Sequence, residues 1–182
     1  MPASEDAVTC PGRTVCELDV RHPFFYLVEN TSLINHLVST WSGMVTASAG
    51  NLKLQLPSYA SLASVAIEIH REEPVDVVEQ FQDVIEFSYP SVTGRPAVLD
   101  WSRTLVCELN PLPVGAGDYR VRYHVQASAE VGNHFDLRSP GSAKALVQIW
   151  PASLEQLKEL KITGALGEFW HPGERLRRAW GF

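Results

Sequence analysis

The chain has 182 residues, of which 45% are hydrophobic and 20% charged, with a formal net charge of -6. That length and composition suit one hydrophobic core, and an aromatic content of 9% argues against global disorder. The acidic balance argues against a protein that neutralises nucleic-acid phosphates along its whole surface, and suits an ordinary cytosolic protein or one that receives a basic partner.

The first 13 residues, "MPASEDAVTCPGR", are polar and carry acids, with no apolar stretch of the signal-peptide kind. They read as a flexible N-terminus. No apolar run approaches the ~20 residues of a membrane span. The expectation is a soluble, cytoplasmic protein with no membrane partner. Three cysteines, Cys10, Cys16 and Cys107, make an odd count without a CxxC pair. That is a poor disulfide framework and a poor zinc site, so the thiols are expected free, with a Cys10–Cys16 bridge as the alternative.

"TVCELDVRHPFFYLVE" reads as two extended pieces broken near His22 and Pro23, because proline interrupts a ladder. "NTSLINHLVSTWSG" fits a helical turn or a long loop. From Gly43 onward the hydrophobic period is two. Leu52, Leu54 and Leu56 share one face, as do Val65, Ile67 and Ile69, and Ile85, Phe87 and Tyr89. "RTLVCEL" is a shorter strand and "KALVQIWP" the last of the alternating runs. In "DYRVRYHVQ" Tyr119, Val121, Tyr123 and Val125 alternate with Arg120, Arg122, His124 and Gln126. Strict alternation marks strands with one face in a core and the other in water. Turn signals at Ala49-Gly50-Asn51, Thr93-Gly94-Arg95-Pro96 and Gly115-Ala116-Gly117-Asp118 separate several runs.

After Pro151 the pattern changes. Ser153 and Gln156 have capping-box spacing, Leu154, Leu157 and Leu160 form a stripe, and Gly164 is a stop. A short helix is predicted there, followed by an aromatic and arginine-rich tail. The fold class is therefore all-β: a mainly antiparallel, jelly-roll-like β-sandwich over 14–152, with the C-terminal helix and tail, 153–182, packed on it or extending from it.

Candidate chemistry is sparse. There is no GxSxG elbow, no phosphate loop and no HExxH, so no catalytic residue, cofactor or metal is assigned. Arg120, Arg122 and His124 on one strand face form a candidate anion site, weighed against a solvated face with arginine stems covering apolar neighbours. Between Glu68 and Glu86 lie seven acids against the single base Arg71. Glu72, Glu73, Asp76, Glu79 and Asp83 are the candidate patch for a basic protein partner, weighed against a merely solubilising connection. In the tail, Trp170, Arg175, Arg177, Arg178 and Trp180 are candidate contacts, weighed against aromatics that cap an open end of the sandwich.

The stretches "DVIEFSY", "LNPLPVGAGDYRVRYHVQ" and "VQIWPA" resemble a broad family of uncharacterised, mainly actinobacterial proteins. It shares a D-V-[VI]-E strand, here Asp83 to Glu86, an "LP…GDYR[VL]R" strand, here ending in Gly117 to Arg122, and a "Q[IL]WPA" ending, here Gln148 to Ala152. The order "FFYLVE", "WSGMV", "VIEFSY", "LP.GDY" is also similar to the competence-associated DNA-entry nuclease inhibitor. These motifs carry fold and no binding residue. The resemblance implies a non-catalytic, acidic inhibitor or immunity protein that neutralises a nuclease or toxin, without direct nucleic-acid contact. The alternative is a small-molecule-binding protein or enzyme built on the Arg/His site.

Overall fold

A computed structural model describes residues 12–39, 42–57, 62–75, 78–127 and 142–170. Two six-stranded sheets pack face to face. The strands are β1 (Arg13–Asp19), β2 (Phe24–Val28), β3 (Val38–Ser39), β4 (Val45–Ser48), β5 (Asn51–Gln55), β6 (Leu62–Ile69), β7 (Asp83–Ser91), β8 (Ala97–Leu99), β9 (Leu105–Glu108), β10 (Gly117–Ala127), β11 (Ser142–Pro151) and β12 (Lys158–Ile162). The first sheet runs β1-β6-β11-β10-β7-β12 and the second β3-β4-β5-β2-β8-β9. Among the described residues all pairings are antiparallel except β6 with β11. The all-β sandwich expected from the alternation is what forms.

The two-residue period decides which side chains meet. Ile67, Val147, Tyr123 and Ile85 stand opposite one another across four neighbouring strands of the first sheet, all fully buried. Leu52, Leu54 and Phe25 face them from the second sheet. The Tyr123 hydroxyl donates to the Gln55 carbonyl at 2.6 Å, tying the sheets through the core. Burial first, and then the negative charge of Asp83, hold this phenol well above its ordinary ionisation range, so it remains a neutral donor.

The cysteine expectation is corrected. Cys16 on β1 and Cys107 on β9 form a disulfide with Cα atoms 7.0 Å apart. β1 and β9 are edge strands of different sheets, so the bond joins the sheets along one side. The partners are 91 residues apart, and only the packing of the sheets brings them together. Cys10 lies outside the described residues.

The helix predicted from Ser153 is also corrected. Residues 152–157 have no regular structure, and β12 follows as the sixth strand of the first sheet. The short helix α1 (Ala165–Trp170) comes after it. The reason is competition for backbone groups. The carbonyls of Glu155 and Gln156 accept from Arg120, and β7 offers an open edge that β12 pairs with. An α-helix would have engaged those carbonyls with the N–H groups four residues on. Asp83 then secures the segment: its carboxylate accepts from the backbone N–H of Thr163, Gly164 and Gly167 at 3.0, 2.7 and 2.9 Å. Side chains at Gly164 and Gly167 would collide with that carboxylate.

Glu29, at the end of β2, organises the turn after β7. It accepts from Tyr89 and Ser91 hydroxyls at 2.8 and 2.6 Å, and from Val92 and Thr93 N–H at 2.8 and 2.6 Å. Burial disfavours its charge, but donors from Ser91, Thr93, Tyr89 and Val92 outweigh that and hold the carboxyl below its usual range. A depressed folded-state value means the stabilisation is present above the unfolded value and fades as pH falls through the folded one. Glu29→Gln is therefore expected to cost about 1.5–3 kcal/mol at neutral pH, with the gap to the parent closing in strong acid. Urea midpoints from pH 7 down to pH ~2 check this.

Candidate functional site

The outer face of the first sheet carries a polar row one residue deep. Arg13, Glu68, Gln148, Arg122, Glu86 and Lys158 occupy opposed positions on β1, β6, β11, β10, β7 and β12. Charges of opposite sign are brought side by side across strands, and most of the row is covered. Arg120 and Arg122 are 2% and 4% exposed. The expected wet face for these arginines is thereby corrected: the tyrosines point into the core as predicted, but the other face is buried too. The 70–75 segment and residues 152–157 lie over it.

Glu86 holds both guanidinium groups. Its Oε1 accepts from Arg120 Nη2 at 2.9 Å, and its Oε2 accepts from Arg122 Nε at 3.0 Å. Arg122 also donates to Glu73 at 2.7 Å, and Trp150 lies 5.1 Å beneath its guanidinium carbon. His124 is fully buried, with Nδ1 3.2 Å from the Leu146 carbonyl and its ring against Phe81. An exogenous anion at Arg120, Arg122 and His124 would have to displace Glu86. Arg120 and Arg122 form a structural network with Glu86, which alternation alone did not single out.

The acidic segment divides into two groups. Glu68, Asp83 and Glu86 are buried and paired within the fold. Asp83 is thus placed inside and does not belong to an exposed patch. Glu72, Glu73 and Glu79 are exposed, although Glu73 bonds Arg122 and Glu79 bonds Lys161 at 3.2 Å. Asp76 lies outside the described residues. In the tail, Trp170 ends α1, partly exposed and packed on Gly43, where a side chain would collide with the indole. Arg175, Arg177, Arg178 and Trp180 lie outside the described residues.

Glu72 and Glu73 border an open groove of about 820 Å³ between the 68–75 segment and the 110–113 loop. Glu68, His70 and Gln148 line its floor. Glu68 accepts from Gln148 Nε2 at 3.0 Å and lies 3.2 Å from His70 Nε2 and 3.4 Å from Arg13. Pro74, Val75, Pro111 and Pro113 contribute apolar walls, and Glu72 and Glu73 stand at the rim. Sequence reasoning placed the acids on one segment. It missed the groove, because Asn110 to Pro113 and Gln148 are remote in the chain and carry no signal of their own. Among the described residues no group of three or more His, Cys, Asp or Glu side chains could hold a metal, and no helix is long and apolar enough to cross a membrane.

No protein-family model matches the sequence, and no curated protein matches it. Among solved structures, the product of crocagin biosynthetic gene J is 14% identical, with a TM-score of 0.48 over 78% of this chain and 97% of that one. ComJ of Bacillus subtilis, inhibitor of the DNA degrading activity of NucA, is 12% identical, with a TM-score of 0.50 over 77% of this chain and 95% of that inhibitor. The similarity first read in the order of the sequence motifs is a similarity of fold, and it takes in nearly the whole of ComJ.

Proposed function

We propose that this protein is a non-catalytic, acidic protein-binding module of the inhibitor or immunity type, which neutralises a basic partner such as a nuclease or toxin. The observation that carries this reading is the division of the acidic segment. Glu68, Asp83 and Glu86 are buried and paired, while Glu72, Glu73 and Glu79 remain exposed, the first two at the rim of one groove. The fold shared with ComJ, an inhibitor of a DNA-degrading protein, supports it. Exposed charge of one sign acts mainly on the association rate and weakens with salt.

Glu72→Gln, Asp76→Asn and Glu79→Gln together spare Glu73, which holds Arg122, and the buried Asp83. This variant is expected to associate about tenfold more slowly at low salt with a basic nuclease or toxin encoded beside the gene. Its stability is expected to change by less than about 1 kcal/mol, because exposed pairs contribute little. Stopped-flow association across a salt series tests this, and a rate equal to the parent's at low ionic strength removes the patch from the interaction. The cytoplasmic location belongs to the same proposal. Alkylation of thiols in intact cells tests it: a reduced Cys16–Cys107 pair fits the cytoplasm, and an oxidised pair fits an exported protein.

A further inference from the structure

We propose that the groove between the 68–75 segment and the 110–113 loop is a socket for an arginine side chain presented by the basic partner. The inference rests on the protein-binding reading above and gives it a specific anchor. Its starting point is Gln148, which lines the groove floor and is 3% exposed. The Gln148 amide is oriented by Glu68: a carboxylate only accepts, so Nε2 faces it and donates at 3.0 Å. The other end of the amide, Oε1, is buried and has no hydrogen-bond donor among the described residues. A buried acceptor left unmade is costly, so a ligand that brings a donor gains about tenfold in affinity.

The surroundings select the donor. Arg13 and Arg122 already pair with Glu68 and Glu73, which leaves Glu72 as the rim carboxylate that draws in a cation. Pro74, Pro111 and Pro113 supply flat apolar walls. A methylene stem or the face of a planar guanidinium packs on such walls. A guanidinium has several N–H groups in one plane, enough to reach Gln148 Oε1 while also meeting a rim carboxylate. A lysine ammonium lacks the planar face, and a neutral apolar side chain leaves the acceptor unmet.

The test uses the intact, isotopically labelled protein and N-acetyl-arginine amide as the probe. The side-chain amide signal of Gln148, assigned by its loss in Gln148→Met, is expected to shift saturably with the arginine probe. It is expected to stay in place with N-acetyl-norleucine amide, which has a similar stem and no charge. Gln148→Met keeps the volume and removes the acceptor, and is expected to weaken probe binding about tenfold, followed at backbone signals of residues 70–75. An unmoved Gln148 amide at saturating probe overturns the proposal, since that oxygen is then held within the sheet. Equal shifts with both probes overturn the claim for a cation. The two readings also fail separately. A basic partner that binds without disturbing Gln148 leaves the protein-binding reading in place and removes the socket. A socket that takes the arginine probe, in a protein that associates with no basic nuclease or toxin encoded beside the gene, does the reverse.

Discussion

Replacing Glu86 with alanine is expected to destabilise the sandwich by about 3–5 kcal/mol, the usual cost of leaving a buried charge without its partner. Here one carboxylate compensates two guanidinium groups. The side chains of Arg120, Arg122 and Glu86 are only 3%, 5% and 9% exposed. Without Glu86 the two cations, two residues apart on one strand face, would repel each other where water cannot screen them. Arg120 would keep Ser88 and the Glu155 carbonyl, and Arg122 would keep the exposed Glu73, but neither set replaces the bridging charge. Glu86→Gln keeps an acceptor and loses the charge, so its cost should fall between the parent and Glu86→Ala. Replacing all three together with apolar residues of similar volume should cost far less than Glu86→Ala, because the desolvation penalty disappears with the charges. Urea unfolding at neutral pH, with the slope unchanged, gives these differences. A loss below about 1 kcal/mol for Glu86→Ala would mean that solvent reaches the guanidinium groups after all.

Reduction of the Cys16–Cys107 bond is expected to be comparably costly. The bond closes a loop of 91 residues, and the entropy it removes from the unfolded chain corresponds to about 4–5 kcal/mol. It joins edge strands of opposite sheets, so its loss also frees β9, which among the described residues pairs within its sheet only with β8. Thermal melts with and without reductant measure the effect. Cys107→Ser should melt at the reduced parent's temperature and ignore reductant, which separates loss of this bond from any effect on Cys10. Identical melts of the parent in both conditions would show that the two thiols are unpaired in solution.

The segment after Pro151 shows where local reading stops. Its capping-box spacing and leucine stripe are genuine helix signals. They lost to two long-range demands: an unpaired β7 edge, and a buried arginine in need of carbonyl acceptors. Propensity is a weak prior against either.

By itself the sequence determined the layered fold and its inner face. Alternation with period two states which side chains of each strand share a face, and so places Tyr119, Val121, Tyr123 and Val125 together in the core. It also determined the acidic character of the 68–86 segment. Only the tertiary structure decided what lies on the opposite face. A polar residue at an alternate position signals "not this core", and that is equally true of a wet surface and of a covered ionic network. Glu86 was legible as one acid among seven, yet its partnership with Arg120 and Arg122 depends on β7 pairing with β10. Gln148 was a polar residue in an apolar strand, yet its unmet oxygen and the groove above it depend on where the 70–75 and 110–113 segments come to rest. The disulfide depends in the same way on two sheet edges meeting. In each case the deciding contact joins residues tens of positions apart, and no local period or spacing records such a contact.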